Sequence, residues 1–426
     1  MSDLLSRRRF LGGTGGLAVG VLAAPWVAKA QGNEINALLI TDGASYANFW
    51  AKVTSDFTAR TGIKVNYDLL EFEPLSAKVV TLGAVKSDQY DVYCTHTALI
   101  ESYFNTFDPL NAYFSDTELS DFFPVTLQYL TNPKTGQLSA IPRNVDARTQ
   151  FYRKDVYDAH GLSAPVTWED LVEVGQKVSG DGHYGLVVPG QGDPAQRTFS
   201  DFLWQAGGDW VDENNRPAFN SEAGIKALTY YHDLIHKYKV VPPNTVTFGW
   251  NENTSNFTSG VCYNTLNWPG SFAQFDDPAQ SQVVGKWATA SYVKDKEAIS
   301  CAVAHALALN TYSKRKEAAV EFIKFAVLPE VQKLQFDQFT FFPSRGSTAQ
   351  QVISEATGAR AEWLGQLETT IATGKEWPKL PGFSRVSSLM YSTIESALSQ
   401  QASPADALNA AAAEANDILQ RAGAYD

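Results

Sequence analysis

Phe57-Thr58-Ala59-Arg60-Thr61-Gly62-Ile63-Lys64-Val65-Asn66-Tyr67 ends one element and begins another of a different period. Phe57 continues a series with Phe49, Trp50 and Val53 at helical spacing, and Gly62 stands where a helix ends in a left-handed residue. Residues 63–67 then alternate as a strand does. Reading outward, residues 35–40 form a short apolar run and predict a buried strand before the helix. On the far side, Pro74 opens a second helix with Leu75, Val79, Leu82 and Val85, and residues 90–95 predict a third strand. The β-α-β-α-β order predicts an α/β fold, with a mainly parallel sheet covered by helices.

A second region repeats the pattern. Thr167-Trp168-Glu169-Asp170 is a capping box opening a helix with Leu171, Val174 and Val178 on one face. Helices are expected over 221–236 and 313–327, and strands over 261–266 and 299–310. Ser403-Pro404-Ala405-Asp406 starts a last helix. No repeat or low-complexity linker separates the two units. Two lobes joined by several crossings are expected.

The first thirty residues read as an export signal. Ser6-Arg7-Arg8-Arg9-Phe10-Leu11 is a twin-arginine pattern, followed by a glycine-rich, weakly apolar stretch and then Ala28-Lys29-Ala30, a small-x-small cleavage site. The alternative, a membrane anchor, suits this glycine-rich stretch poorly. A soluble periplasmic protein beginning near Gln31 is expected.

Composition narrows the function. The 426 residues suggest two or three domains, and 44% hydrophobic with 19% charged residues is globular composition. A net charge of −12 argues against nucleic acid, which needs clustered Lys and Arg. Three Cys and six His without paired spacing argue against a cofactor or metal site. Two of Cys94, Cys262 and Cys301 could pair in an oxidising compartment, but spacing selects no pair. Aromatics at 12% exceed what a core of this size requires, which suits a ligand with apolar faces.

Seven segments in order carry a family resemblance: residues 57–65; Asp91-Val92-Tyr93; Ile141-Pro142 with Phe151-Tyr152-Arg153-Lys154-Asp155 and Gly161-Leu162; Pro165-Val166-Thr167-Trp168-Glu169-Asp170-Leu171; Ala206-Gly207-Gly208; Ser313-Lys314-Arg315-Lys316-Glu317-Ala318-Ala319 with Glu321-Phe322-Ile323-Lys324-Phe325; and residues 403–408. Together they resemble the family 1 extracellular solute-binding proteins of ABC importers, the sugar-binding group that includes maltose-binding protein. The resemblance implies a two-lobed periplasmic-binding-protein clamp with three hinge crossings, near 144–147, 300–302 and 341–344. Lobe 1 would be 33–144 plus 301–342, and lobe 2 would be 146–300 plus 343–426. It also implies a monomer without enzymatic activity that closes on a carbohydrate and docks on membrane permease subunits.

A sugar or polyol presents apolar C–H faces and hydroxyl edges, so its site needs aromatic planes beside Asp, Glu, Asn, Arg and His. Trp268, in Asn267-Trp268-Pro269-Gly270, resembles the family's sugar-stacking G-P-W; the competing reading is a core indole beneath the following turn. Asp146 and Arg148 share a face of an extended segment at the first crossing, and either hold ligand or form a salt bridge that stiffens the hinge. Thr95 and His96 follow the third strand, where ligands of α/β sheets bind, although Thr95 or Thr97 could instead cap a helix. Ser45 and Tyr46 follow the first strand by the same logic. Trp210, beside Gly207-Gly208, is preferred to Trp204, which shares helical spacing with Phe199 and Leu203. Trp250 sits in a loop and either reaches ligand or caps a helix. His305 interrupts an apolar strand where relatives carry glycine, and is either a ligand contact or a hydrogen-bonded core histidine. Arg345 follows the third crossing. Were Arg148 and Arg345 both to face the cleft, an acidic, phosphorylated or sulfonated sugar would suit it; a neutral glycoside or polyol ranks first.

Other functions rank lower. An exported carbohydrate-active enzyme would need paired carboxylates, such as Asp146 with Glu252 or Asp209. A polyamine receptor would suit the negative charge, and a ferric-ion receptor would need a Tyr/His cluster without a spacing signal here.

Overall fold

The computed structural model describes residues 34–41 and 44–425. The export segment and its cleavage site lie outside the described residues. Nine strands are present among those described: β1 (Glu34–Ile40), β2 (Lys64–Leu70), β3 (Val92–His96), β4 (Phe107–Asp108), β5 (Ile141–Ala147), β6 (Thr149–Tyr152), β7 (Asn264–Asn267), β8 (Ala288–Ala290) and β9 (Ala302–Asn310).

The opening segment folds as its periodicity dictates. Phe49, Trp50, Val53 and Phe57 line one face of the helix Ala44–Thr61 and are buried. Gly62 ends it at φ +77, a left-handed conformation that costs glycine no Cβ clash. β1 then pairs in parallel with β2 and with β3. The capping box at Thr167 forms as expected, with the Thr167 side chain accepting from Asp170 N–H and Asp170 reaching back.

Strand direction differs from the expectation elsewhere. The first sheet runs β2-β1-β3-β9-β4, with β5 also paired to β9. β9 is antiparallel to β3, β4 and β5. It enters this sheet from the opposite end, on the chain's return from the second body, so the sheet is mixed rather than mainly parallel. In the second sheet, β6 pairs antiparallel with both β7 and β8. Parallel contact in that body survives as isolated bridges, including Tyr184 with Cys262 and Val187 with Thr265. β6 follows β5 after the single residue Arg148, so it carries the chain straight out of the first sheet and leaves no room for a crossover helix.

The apolar cores show two bodies. One core runs from Ile35 to Ile141, resumes at Ala306 and includes Phe341. The others begin at Val145, hold Cys301 and Val303, and take up Phe342. The chain therefore changes core within β5, within β9 and between Phe341 and Phe342. Ala98, which follows β3, packs into the core of the second body, so the two bodies touch. The three cysteines are free and buried. No helix among the described residues is long and apolar enough to cross a membrane.

Candidate functional site

The carboxyl end of β3 and the middle of β9 bring His96 opposite His305, with ring centroids 5.8 Å apart. On the other side of β9, a register shift in β5 places Asn144 opposite His305. His305 Nε2 lies 3.4 Å from Asp146 Oδ2, and Asn144 Nδ2 donates to the same oxygen at 2.8 Å. All four side chains are buried, yet Asn144 Oδ1, Asp146 Oδ1, His305 Nδ1 and the nearby Thr95 Oγ1 find no hydrogen-bond partner within the protein. His96 Nδ1 accepts from the Ala98 N–H at 2.9 Å, which leaves its ring proton on Nε2. Burial, then the charge of Arg197, holds His96 well below the usual histidine range, so its imidazole is neutral. Phe72 packs on this ring at 3.8 Å, and Tyr46 lies 6.0 Å from His305.

The facing wall rests on the helix Gly192–Gln205. Asp193, Arg197 and Asp201 recur every four residues on one stripe of this largely buried helix. Arg197 Nε is held by both Asp193 oxygens at 3.1 and 2.9 Å, and its guanidinium lies 4.4 Å over Trp377. Asp201 neutralises Arg148, which also donates to Thr198 Oγ1 at 3.0 Å and to the Arg197 carbonyl at 2.8 Å. Trp268, half-buried at the end of β7, stands 5.6 Å from Trp250 in an edge-on pair. Arg148 and Arg197 lie 5.8 and 5.9 Å from its ring.

A third group closes the space between the bodies. The segment after the helix Gly358–Thr373 hydrogen-bonds to the start of β9, Ala302 N–H donating to the Lys375 carbonyl at 2.8 Å. A Cβ on Gly374 would fall 2.3 Å from that of Ala302, so only glycine permits this approach. The segment delivers Glu376, whose Oε2 accepts from Thr97 Oγ1 of the first body at 2.7 Å. Lys379 follows, its ammonium 5.4 Å from the Tyr129 ring. Glu101, from the 3-10 helix Thr97–Tyr103, is its electrostatic partner. Neither Glu101 oxygen and not Lys379 Nζ has a hydrogen-bond partner within the protein. Burial pushes Glu101 up to about 7 against the pull of Lys379, and burial lowers Lys379.

The expected residues therefore divide. Tyr46, Thr95, His96, Asp146 and His305 meet at one wall, and Trp268 stands on the other. Ser45 is the second residue of the helix Ala44–Thr61, and its side chain lies outside the described residues. Arg148 reaches the same region but as scaffolding, since its charge and most of its donors are taken by Asp201, Thr198 and the Arg197 carbonyl. Trp210 does not reach the cleft. It is fully buried, packed edge-on by Phe199 and Phe383, because the apolar face of the helix Gly192–Gln205 needs that cover. Arg345 is also placed elsewhere: Nε donates to the Val327 carbonyl at 2.7 Å, Nη1 lies 3.1 Å from Asp121, and the guanidinium sits 4.2 Å over Phe122. Sequence reasoning missed Arg197, Glu101, Glu376 and Lys379. For Arg197 a signal existed in sequence, since Asp193, Arg197 and Asp201 stand at four-residue spacing on one helical stripe, where opposite charges pair. Glu376-Trp377-Pro378-Lys379 carried a weaker one, charges and an indole held in a proline-rigidified turn.

The Bacterial extracellular solute-binding protein family model matches residues 41–333. The mannitol-binding protein of Pseudomonas aeruginosa is 28% identical over 388 residues, covering 85% of this chain and 87% of that one. A Sinorhizobium fredii protein named "Probable amino-acid ABC transporter periplasmic-binding protein" is 26% identical over 408 residues, covering 92% of this chain and 91% of its own. Among solved structures, maltose-bound MalE3 of T. maritima superposes with a TM-score of 0.83 at 24% identity, covering 89% of this chain and 98% of that one. The ribitol complex of an ABC transporter solute-binding protein from Agrobacterium radiobacter superposes with a TM-score of 0.80 at 25% identity, covering 90% and 98%. These relatives are binding proteins rather than enzymes, and this chain belongs to the bacterial extracellular solute-binding proteins.

Proposed function

We propose that this protein captures a polyol or small neutral sugar between its two bodies and delivers it to the permease of an ABC importer. The observation that carries the reading is the set of buried, unpartnered polar atoms on Thr95, Asn144, Asp146 and His305, facing a wall that holds Trp268. Such atoms cost roughly 1–3 kcal/mol each when left unpaired, and hydroxyl groups supply both donors and acceptors to match them. The names of the mannitol-binding relative and the ribitol complex support the same class. An acidic or sulfonated sugar fits less well, because Asp201 and Asp193 already neutralise Arg148 and Arg197.

The lobes of this reading are 33–144 with 301–342 and 146–300 with 343–426. The three places where the chain changes core would serve as the hinge. The twin-arginine segment at 6–11 would direct export to the periplasm, where the protein acts as a monomer without a cofactor. The test is intrinsic tryptophan fluorescence of the chain from Gln31 on, titrated with D-mannitol, ribitol, maltose, galacturonate, putrescine and amino acids. A saturable change with a polyol or neutral sugar, without product on standing, is expected. A response confined to galacturonate, putrescine or an amino acid overturns the solute class. Product formation restores an enzyme.

A further inference from the structure

Glu101 and Lys379 are opposite charges, one on each body, brought into the same buried space without bonding to each other. Glu101 comes from the 3-10 helix that follows β3, and Lys379 from the proline-flanked turn after Glu376. Both carboxylate oxygens and the ammonium nitrogen are buried without a hydrogen-bond partner. Neighbouring charges do not complete the set, because Glu376 is occupied by Thr97 and the Trp377 N–H, and Arg197 by Asp193. Two groups of opposite charge that bury themselves without pairing each still lack a partner, and a diol is donor and acceptor at once. The Tyr129 ring beneath the ammonium adds an apolar surface for carbon.

We propose that Glu101 and Lys379 form a subsite for a vicinal diol at one end of the solute, one hydroxyl donating to the Glu101 carboxylate and its neighbour accepting from the Lys379 ammonium. The subsite rests on the reading of the cleft as a polyol or sugar site, and it adds the requirement for two adjacent free hydroxyls at one end of the solute. Charge-assisted hydrogen bonds of this kind discriminate strongly against ligands that lack one partner. A zwitterionic α-amino acid, with its ammonium on Glu101 and its carboxylate on Lys379, is the competing occupant.

The test is calorimetric titration at pH 7.5 with D-mannitol, with 2,5-dideoxy-D-mannitol (hexane-1,3,4,6-tetrol), which has no adjacent hydroxyl pair at either end, and with L-glutamine as the zwitterion. On the unaltered chain, D-mannitol is expected to bind roughly tenfold or more tightly than the dideoxy compound. Glu101→Gln and Lys379→Met are each expected to weaken D-mannitol by a similar factor and to abolish its preference over the dideoxy compound, while the double variant loses less than the product of the singles. Variants that bind D-mannitol within twofold of the unaltered chain overturn the subsite and leave the solute class standing. Equal binding of both polyols to the unaltered chain does the same without any substitution. Binding of L-glutamine with neither polyol overturns the subsite's diol and the solute class together, whereas failure of all three compounds to bind overturns the diol subsite and leaves the solute class to the wider panel.

Discussion

Asp201→Asn tests whether Arg148 supports the cleft or contacts the solute. Asp201 Oδ1 accepts from the Cys301 N–H at 2.6 Å, and Oδ2 accepts from the Tyr292 hydroxyl at 2.5 Å and from the Arg148 guanidinium. An asparagine amide turned toward Arg148 meets two donors with a donor, and turned the other way it meets the Cys301 N–H. No orientation restores the set, and Arg148, with no measurable exposure, keeps its charge without a counterion. Breaking one side of such a buried pair costs about 3–5 kcal/mol. For about 390 described residues, an unfolding entropy of roughly 2 cal/mol/K per residue makes that a fall of about 4–6 °C in the thermal midpoint. Differential scanning calorimetry measures it, with D-mannitol affinity followed by fluorescence on the same sample at 20 °C. Joint replacement by Asp201→Leu and Arg148→Met removes both charges and should recover most of the midpoint, since apolar substitutes for a buried pair are often neutral. An unchanged midpoint with affinity lost a hundredfold would refute the scaffolding role and return Arg148 to the solute.

Three further outcomes are expected. Because Glu101 is held up to about 7 in the folded protein against an ordinary value near 4.5, the folded state binds that proton more tightly than the unfolded one. Stability should therefore decline as pH rises from about 4.5 through about 7, and a urea titration series should lose that component of the slope in Glu101→Gln; identical slopes would disprove it. Trp268→Ala should weaken D-mannitol at least roughly tenfold with an unchanged circular dichroism spectrum; unaltered affinity removes the indole from the site. Gly374→Ala forces a Cβ to within 2.3 Å of Ala302 and should lower stability by about 1–3 kcal/mol in urea unfolding, or more if the turn cannot shift; no change would show that the turn yields freely.

Much of the fold was legible because it is written in local periodicity. Phe49, Trp50, Val53 and Phe57 declare a helix face, Gly62 its end, and Thr167 with Asp170 a capping box, and each depends on residues within a few positions. Strand direction was not legible in the same way. Whether β9 runs with or against β3 depends on which side the chain returns from, and that is set by the whole second body rather than by residues 302–310. The same contrast governs the site. Asp146, His305 and His96, which the structure brings together at the candidate site, could be picked out because they interrupt or end apolar strands. Trp210 and Arg345 looked equally promising, and only their packing partners, Phe383 and Asp121 among them, separate a core indole and a structural guanidinium from cleft residues. Glu101 and Lys379 lie 278 positions apart, and nothing near either one in sequence announces the other.

If the two bodies close on a solute as proposed, closure would be a balance that the solute tips. Direct bonds between the bodies, such as Thr97 with Glu376 and the packing of Ala98, favour the closed form without help. Against them would stand the buried polar atoms of Asn144, Asp146, His305, Glu101 and Lys379, for which the protein has no partner. At roughly 1–3 kcal/mol apiece, two or three of these are comparable with the about 5.5 kcal/mol that separates a mostly open from a mostly closed population. A solute that hydrogen-bonds to Thr95 and His305 alone would bind the first body in either state and shift little. One that also reaches Glu101 and Lys379 interacts fully only when both bodies surround it, and only that difference in affinity between the two states drives closure.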